Sequence, residues 1–268
     1  MQLHNNNMYA DYHLHTNYSD DSQCTMEEMV QKAISLGIDE IAFTDHVDYD
    51  MRPDQICDYH SYFNDITMLQ QKYAGKISLK KGMEFGVQKH TIPMYHHDVR
   101  SHPFDFIILS NHQIDNKEFW NYVFQKGKTQ EQFHTAYYEA IYDVIQQYKD
   151  YSVLGHLDMI KRYDRHGDYP DEKIMGLVDN IVKQVIQDKK GIELNTSSFK
   201  YGLKDLMPSR KILKTYYELG GTLLTIGSDT HDTEHLGDHI LDVRNVLKEI
   251  GFQKFCTFEK MKPIFWDL

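Results

Sequence analysis

The sequence predicts an α/β fold, a distorted (β/α)7 barrel of TIM-barrel-like design with its site at the C-terminal ends of the strands. Three observations predict it. Seven β-rich runs alternate with helical stretches over 268 residues, and repeated βα units imply parallel strands with helices outside. Most of those runs give way to a His, Asp or Glu. Such residues come from every part of the chain, which favours closure: edge strands of an open sheet lie far from its crevice, whereas a barrel points every strand end at one rim.

The first run, residues 8–15, carries His13 and His15. Side chains two apart on a strand point the same way, so both imidazoles can face one pocket. A helix over Met26–Leu36 stops at Gly37. The runs at 40–44, 77–85 and 105–110 lead to His46, Glu84 and His112. Between Gln130 and Tyr148 the residues Phe133, Ala136, Tyr137, Ala140, Ile141, Val144, Ile145 and Tyr148 recur every three or four positions, which makes a helix with one apolar stripe against a core. The run 152–156 ends on His156. A helix is expected over Asp171–Lys190 with Gly191 as its stop, followed by strands at 191–196 and 222–228. The last of these leads to Asp229 and His231, again two apart. Asp115–Lys128 and Tyr163–Tyr169 read as rim loops that could cover the site. No linker, repeat or low-complexity tract interrupts residues 1–268, so one domain is expected. In the tail, Phe252, Phe255, Phe258, Phe265 and Trp266 are expected to cover the barrel's outside or floor, with an oligomer contact as the rival account.

A hydrophobic content of 41% suffices for one large core. The net charge of −11 argues against a nucleic-acid partner, since phosphate backbones are held mainly by clustered Lys and Arg. A small substrate is favoured instead. No apolar run is long enough for a membrane helix, and Met1–Asn7 lacks the basic and apolar parts of a signal peptide, so a cytoplasmic location is expected. Cys24, Cys57 and Cys256 are odd in number and far apart, which indicates neither a disulfide framework nor a thiolate zinc site.

Nine residues thus stand out as candidate metal ligands: His13, His15, Asp20, His46, Glu84, His112, His156, Asp229 and His231. A single buried histidine is more often a hydrogen-bonded core residue, but the shared placement at strand ends favours metal. The other ten histidines (His4, His60, His90, His96, His97, His102, His134, His166, His235 and His239) are expected to be solvated or locally bonded. Imidazoles and carboxylates without thiolate suit zinc, manganese or iron. Nine ligands exceed the needs of one ion. Three divalent ions fit, with a carboxylate such as Glu84 bridging two, and their charge would make an acidic protein attractive to a phosphate. Closely spaced ions lower the pKa of a water and clamp phosphoryl oxygens, so phosphoester hydrolysis follows.

These residues resemble a known family. His13-Leu14-His15-Thr16 with Ser19-Asp20, Thr44-Asp45-His46, Gly82-Met83-Glu84, Ser110-Asn111-His112, Gly155-His156-Leu157-Asp158 and Ser228-Asp229-Thr230-His231 look like the polymerase and histidinol phosphatase superfamily. With Asn195-Thr196-Ser197 and the chain length, the similarity narrows to stand-alone histidinol-phosphate phosphatases. The resemblance implies one ion on His13, His15, Glu84 and Asp229, a second on Glu84, His112 and His156, and a third on Asp20, His46 and His231. Some relatives carry histidine where this chain has Asp20. The implied reaction is hydrolysis of L-histidinol phosphate to L-histidinol and phosphate in histidine biosynthesis. Glu84, Asp229, His231 and Arg162 are the candidate catalytic groups.

For the substrate, Arg162 is the candidate phosphate clamp, because a guanidinium gives two parallel hydrogen bonds. A surface ion pair is its bland alternative. Lys161 and Lys200 are weaker candidates. Asp158, Asp48 and the Phe119-Trp120-Tyr122 group are candidates for meeting an ammonium and an imidazole, although Asp45 and Asp158 serve equally well as residues orienting the ligands. Two rival functions remain open: a phosphodiesterase or exonuclease, which would want a basic track to the rim, and a non-catalytic metal-binding barrel.

Overall fold

All seven expected strands form in the computed structural model, which describes residues 7–51 and 56–268; His4 lies outside them. They are β1 (Ala10–Leu14), β2 (Glu40–Phe43), β3 (Ser78–Gly86), β4 (Phe106–Ser110), β5 (Val153–Leu154), β6 (Gly191–Asn195) and β7 (Leu224–Gly227). Each pairs in parallel with the next. The end of β7 returns to β1, where His15 N donates to Thr230 O and Asp229 N to His13 O, both at 2.8 Å, so the barrel is nearly closed. Helices cover the outside: α1 (Met26–Ser35), α2 (Tyr59–Lys72), α3 (Ile92–Ser101), α4 (Gln130–Gln147), α5 (Met175–Gln187), α6 (Arg210–Glu218) and α7 (Ile240–Ile250). Strands buried on both faces explain why they read as apolar runs rather than as strict alternation.

Local chemistry sets the helix ends. Thr25 caps α1 and Thr129 caps α4, each in a reciprocal capping box, with Glu28 and Gln132 respectively. At the end of α1, Gly37 takes φ +71° and its N–H and that of Ile38 reach Ile34 O and Ala33 O, as expected of a glycine stop. The expected helix 171–190 is divided: a 3-10 turn at Asp171–Lys173 precedes α5. Its stop also differs from the expectation, because Lys189 (φ +56°), not Gly191, adopts the left-handed turn. Gly191 instead opens β6, where an added Cβ would lie 2.5 Å from Leu223 O. That glycine permits close strand packing rather than a helix end.

The tail closes the floor. A hairpin, β8 (Lys254–Glu259) and β9 (Lys262–Asp267), packs Phe258 on Phe106 with centroids 5.2 Å apart. Phe258 N donates to Tyr12 Oη at 2.8 Å, and Met261 N to Asp105 O, just before β4, at 2.9 Å. Phe252, Phe255 and Phe258 are buried, as expected of a floor, whereas Phe265 is 43% exposed.

At the opposite end both expected rim loops are present and pack together. The Arg165 guanidinium lies 3.3 Å from the Tyr122 ring centroid, and Gln125 Nε2 donates to Tyr163 O at 3.1 Å. Phe119 and Phe124 anchor the first loop in the core, and Trp120 is left exposed. No helix among the described residues is long and apolar enough to cross a membrane.

The crowding at Gly191 is testable. Gly191→Ala is expected to destabilise the protein by about 1–3 kcal/mol through overpacking against backbone that cannot move aside, read as a lower urea midpoint.

Candidate metal centre

Eight of the nine nominated donors meet at the rim around one carboxylate. Glu84 sits inside β3, and His46 lies opposite it in a two-residue strand, His46–Val47, paired to β3. Glu84 Oε2 lies 3.1 Å from His13 Nε2, 3.4 Å from His15 Nε2 and 3.2 Å from His46 Nδ1. Its Oε1 lies 2.8 Å from His156 Nε2 and 3.0 Å from His112 Nε2. Asp229 Oδ1 is 3.5 Å from His13 Nε2 and 3.3 Å from His15 Nε2. Asp229 (φ +55°) and His156 (φ +20°) both hold backbone conformations that L-residues rarely adopt, bending the chain off the ends of β7 and β5 toward this centre.

The fit to cations rests on unpaired atoms. His13 Nε2, His15 Nε2, His46 Nδ1 and Glu84 Oε2 are buried without a hydrogen-bond partner, a costly state for polar atoms unless something else satisfies them. They converge in donor sets of metal-binding size: His13, His15 and Asp229; His13, Glu84 and His156; and His15, Asp21, His46 and His231. These His, Asp and Glu sets have the composition and spacing of divalent-metal sites, and their nitrogen and oxygen donors suit borderline ions.

One donor differs from the expectation. Asp21, not Asp20, reaches the third set, with Oδ2 3.0 Å from His231 Nε2 and 3.5 Å from His46 Nε2. The cause is the turn after β1: Ser22 Oγ donates to His231 O at 2.8 Å, which draws its neighbour Asp21 to that histidine. Asp20 lines the same cavity without joining the donor set.

The outer ring nitrogens are held by partners that aim the inner ones. His13 Nδ1 meets Glu193 Oε1 at 2.5 Å, His15 Nδ1 meets Ser19 Oγ at 3.2 Å, and His112 Nδ1 meets Asp48 Oδ1 at 2.9 Å. Ser19 is itself fixed by donating to Asp45 Oδ1 at 2.7 Å, so Asp45 supports His15 from behind. Burial, with His231 and His46 alongside, pushes His15 down to about 3 and keeps its imidazole neutral. Burial alone would raise the carboxyls of Glu84 and Asp229, but His13 and its companions outweigh it and hold both well below the usual range. Against the effect of burial, His13, His46 and His112 go the other way, pushed up by Glu193, Glu84 and Asp48, so these imidazoles hold protons at the points where a cation would replace them.

Beside this cluster opens a cavity of about 560 Å³ whose wall includes Gln113, Glu118, Trp120, Arg162, Lys200 and Tyr201. Arg162 is nearly buried. Its Nη2 lies 2.7 Å from Ser197 Oγ and 3.4 Å from Asp229 Oδ2, and its guanidinium stacks 3.9 Å from the Tyr201 ring centroid. Lys200 Nζ stands 3.5 Å from Asp232. Of the two roles expected for Asp158, substrate contact or orienting from behind, its contacts favour support: its Oδ2 accepts from Lys161 Nζ at 2.9 Å and Ser209 N at 3.0 Å, outside the cavity wall. The ion pair with Lys161 secures the 3-10 turn Met159–Tyr163 that carries Arg162. Sequence reasoning missed Asp21 and Glu193. For Glu193 a signal existed, since Glu193 and Asn195 are polar at alternate positions of an otherwise apolar strand.

The chain belongs to the PHP domain family, whose model matches residues 11–197. Within it, the chain is 32% identical to the histidinol-phosphatase of Lactococcus lactis subsp. lactis, over 94% of this chain and 95% of that one. A crystal structure of the Lactococcus lactis histidinol phosphate phosphatase, complexed with zinc, L-histidinol and phosphate, superposes with a TM-score of 0.88 at 30% identity, covering 96% of this chain and 98% of that one. A Listeria monocytogenes structure shares the fold, at a TM-score of 0.73 and 20% identity over 87% of this chain and 99% of that one.

Asp21→Asn is expected to lower the divalent metal retained per chain after dialysis, measured by elemental analysis, whereas Asp20→Asn retains the wild-type content. The reverse result would return the ligand to Asp20.

Proposed function

We propose that this protein is a histidinol-phosphate phosphatase, hydrolysing L-histidinol phosphate to L-histidinol and phosphate with three divalent ions of zinc, manganese or iron. The observation that carries this reading is the set of three partnerless buried imidazole nitrogens and one carboxylate oxygen converging beside an arginine-bearing cavity. The likeness to a relative crystallised with zinc, L-histidinol and phosphate supports the substrate.

In this reading His13, His15, Glu84 and Asp229 hold one ion, Glu84, His112 and His156 a second, and Asp21, His46 and His231 a third. Divalent ions in such sites lower the pKa of a water and neutralise charge gathering on a phosphoryl group. Arg162 donates to the phosphate oxygens, held in aim by its stacking on Tyr201. Lys200, on the same wall, adds a second cation. Trp120 offers the imidazole an aromatic face, and Glu118 and Asp48 offer the ammonium carboxylates.

Against a phosphodiesterase reading stands the charge: Arg162 and Lys200 are the cations on a wall that also carries Asp20, Asp21, Asp48 and Glu118. A diester channel needs a basic track. Against a non-catalytic barrel stands the complete donor set together with Arg162 at its edge.

Phosphate release from histidinol phosphate, from other small monoesters and from a nucleotide diester, on metal-analysed protein, tests the proposal. Histidinol phosphate is expected to be strongly preferred; equal or greater turnover of the diester would reject the reading. Arg162→Ala is expected to weaken substrate use by about 10–100-fold, the worth of charge-assisted hydrogen bonds, with folding unchanged. Unaltered kinetic constants would remove the clamp.

A further inference from the structure

One buried carboxylate belongs to none of the donor sets yet touches the supports of three donors. Glu193, on β6, is 1% exposed. Its Oε1 meets His13 Nδ1 at 2.5 Å, and its Oε2 accepts from the backbone N–H of His156 at 2.8 Å. Asn195 Nδ2 donates both to Glu193 Oε2 and to Asp229 Oδ2, at 3.2 Å each. These contacts tie β1, β5 and β7 to one side chain.

A neighbouring strand leaves room for it. An added Cβ at Gly227, on β7, would lie 2.8 Å from Glu193 Oε1 and 2.4 Å from His13 Cβ. Gly227 thus clears the space in which a carboxylate reaches His13. A group serving only strand packing would not need this carboxylate on the outer nitrogen of a metal-set histidine.

We infer that Glu193 is a positioning residue: it fixes the proton of His13 on Nδ1 and holds His13, His156 and Asp229 in one mutual arrangement. With the proton on Nδ1, the Nε2 lone pair faces Glu84 Oε2 and Asp229 Oδ1, where a cation would be held. The inference rests on the metal reading of the site. Glu193→Gln is the informative change. A carboxamide that still accepts from His156 N–H turns its NH2 to His13 Nδ1, so the imidazole proton moves to Nε2 and that lone pair is lost.

The test uses the full chain. Zinc affinity by chelator competition, the visible spectrum of the cobalt(II) form, kcat and KM are compared for wild type, Glu193→Gln, His13→Ala and the double variant. Glu193→Gln is expected to keep the metal-free melting temperature, bind zinc about 10–100-fold more weakly, shift the cobalt spectrum, and lower kcat with KM changed by less than about threefold. In the His13→Ala background the same change is expected to add little, because its route is gone. Unchanged zinc affinity and cobalt spectrum, or an equal loss in the His13→Ala background, overturns the inference while leaving the metal reading intact. Wild-type protein that takes up no divalent ion overturns both. Should Glu193→Gln fail to fold, Glu193→Asp, which keeps the charge but withdraws it from His13, carries the same comparison and the same expected losses.

Discussion

The molecule is organised around a single buried carboxylate. Glu84 faces five imidazoles, those of His13, His15, His46, His112 and His156. No ordinary core would assemble so many titratable groups in contact, since each loses its hydration and several lack a hydrogen-bond partner. Cations resolve that conflict: they replace the missing protons and neutralise the carboxylates at the same points. Metal binding would therefore stabilise this rim as well as supply its reactivity.

The barrel divides its two ends between these tasks. At the floor, Tyr12, Phe106 and Phe258 pack with the tail hairpin and need no special chemistry. At the rim, the strands stop and the backbone leaves ordinary conformations at His156 and Asp229. Arg162 rides on a turn secured from behind by Lys161, Asp158, Asp171 and Ser209, so a group facing the cavity is held by contacts away from it. The packed pair of rim loops, joined through Arg165 and Tyr122, borders the same opening.

How much of this was legible in the sequence follows from the physics of each position. The strands and the gathering of eight nominated residues at one rim could be read because an imidazole or carboxylate at the end of an apolar run is too costly to be incidental. Asp21 could not be told from Asp20, since alternation fails in a turn and the deciding contact, Ser22 to His231, spans the whole chain. Gly191 misled for a related reason: a glycine after a helix signals either a left-handed stop or a close strand contact, and only the position of Leu223 decides. Asp158 lay beside an evident ligand, yet its partners Lys161 and Ser209 take it away from the cavity. Glu193 was hidden inside an apolar strand, visible only through the two-residue alternation it shares with Asn195.

The seam between β1 and β7 joins the two ends of the family motif by the backbone of the donor-bearing segments themselves, His15 to Thr230 and Asp229 to His13. Asp11 reinforces it, accepting from Ser228 N and Gly237 N at 2.9 and 3.0 Å. A chain emerging from the ribosome therefore exposes His13 and His15 long before Asp229 and His231 exist to meet them. The ring of strands therefore cannot close on its first member until the seventh, Leu224–Gly227, has been made.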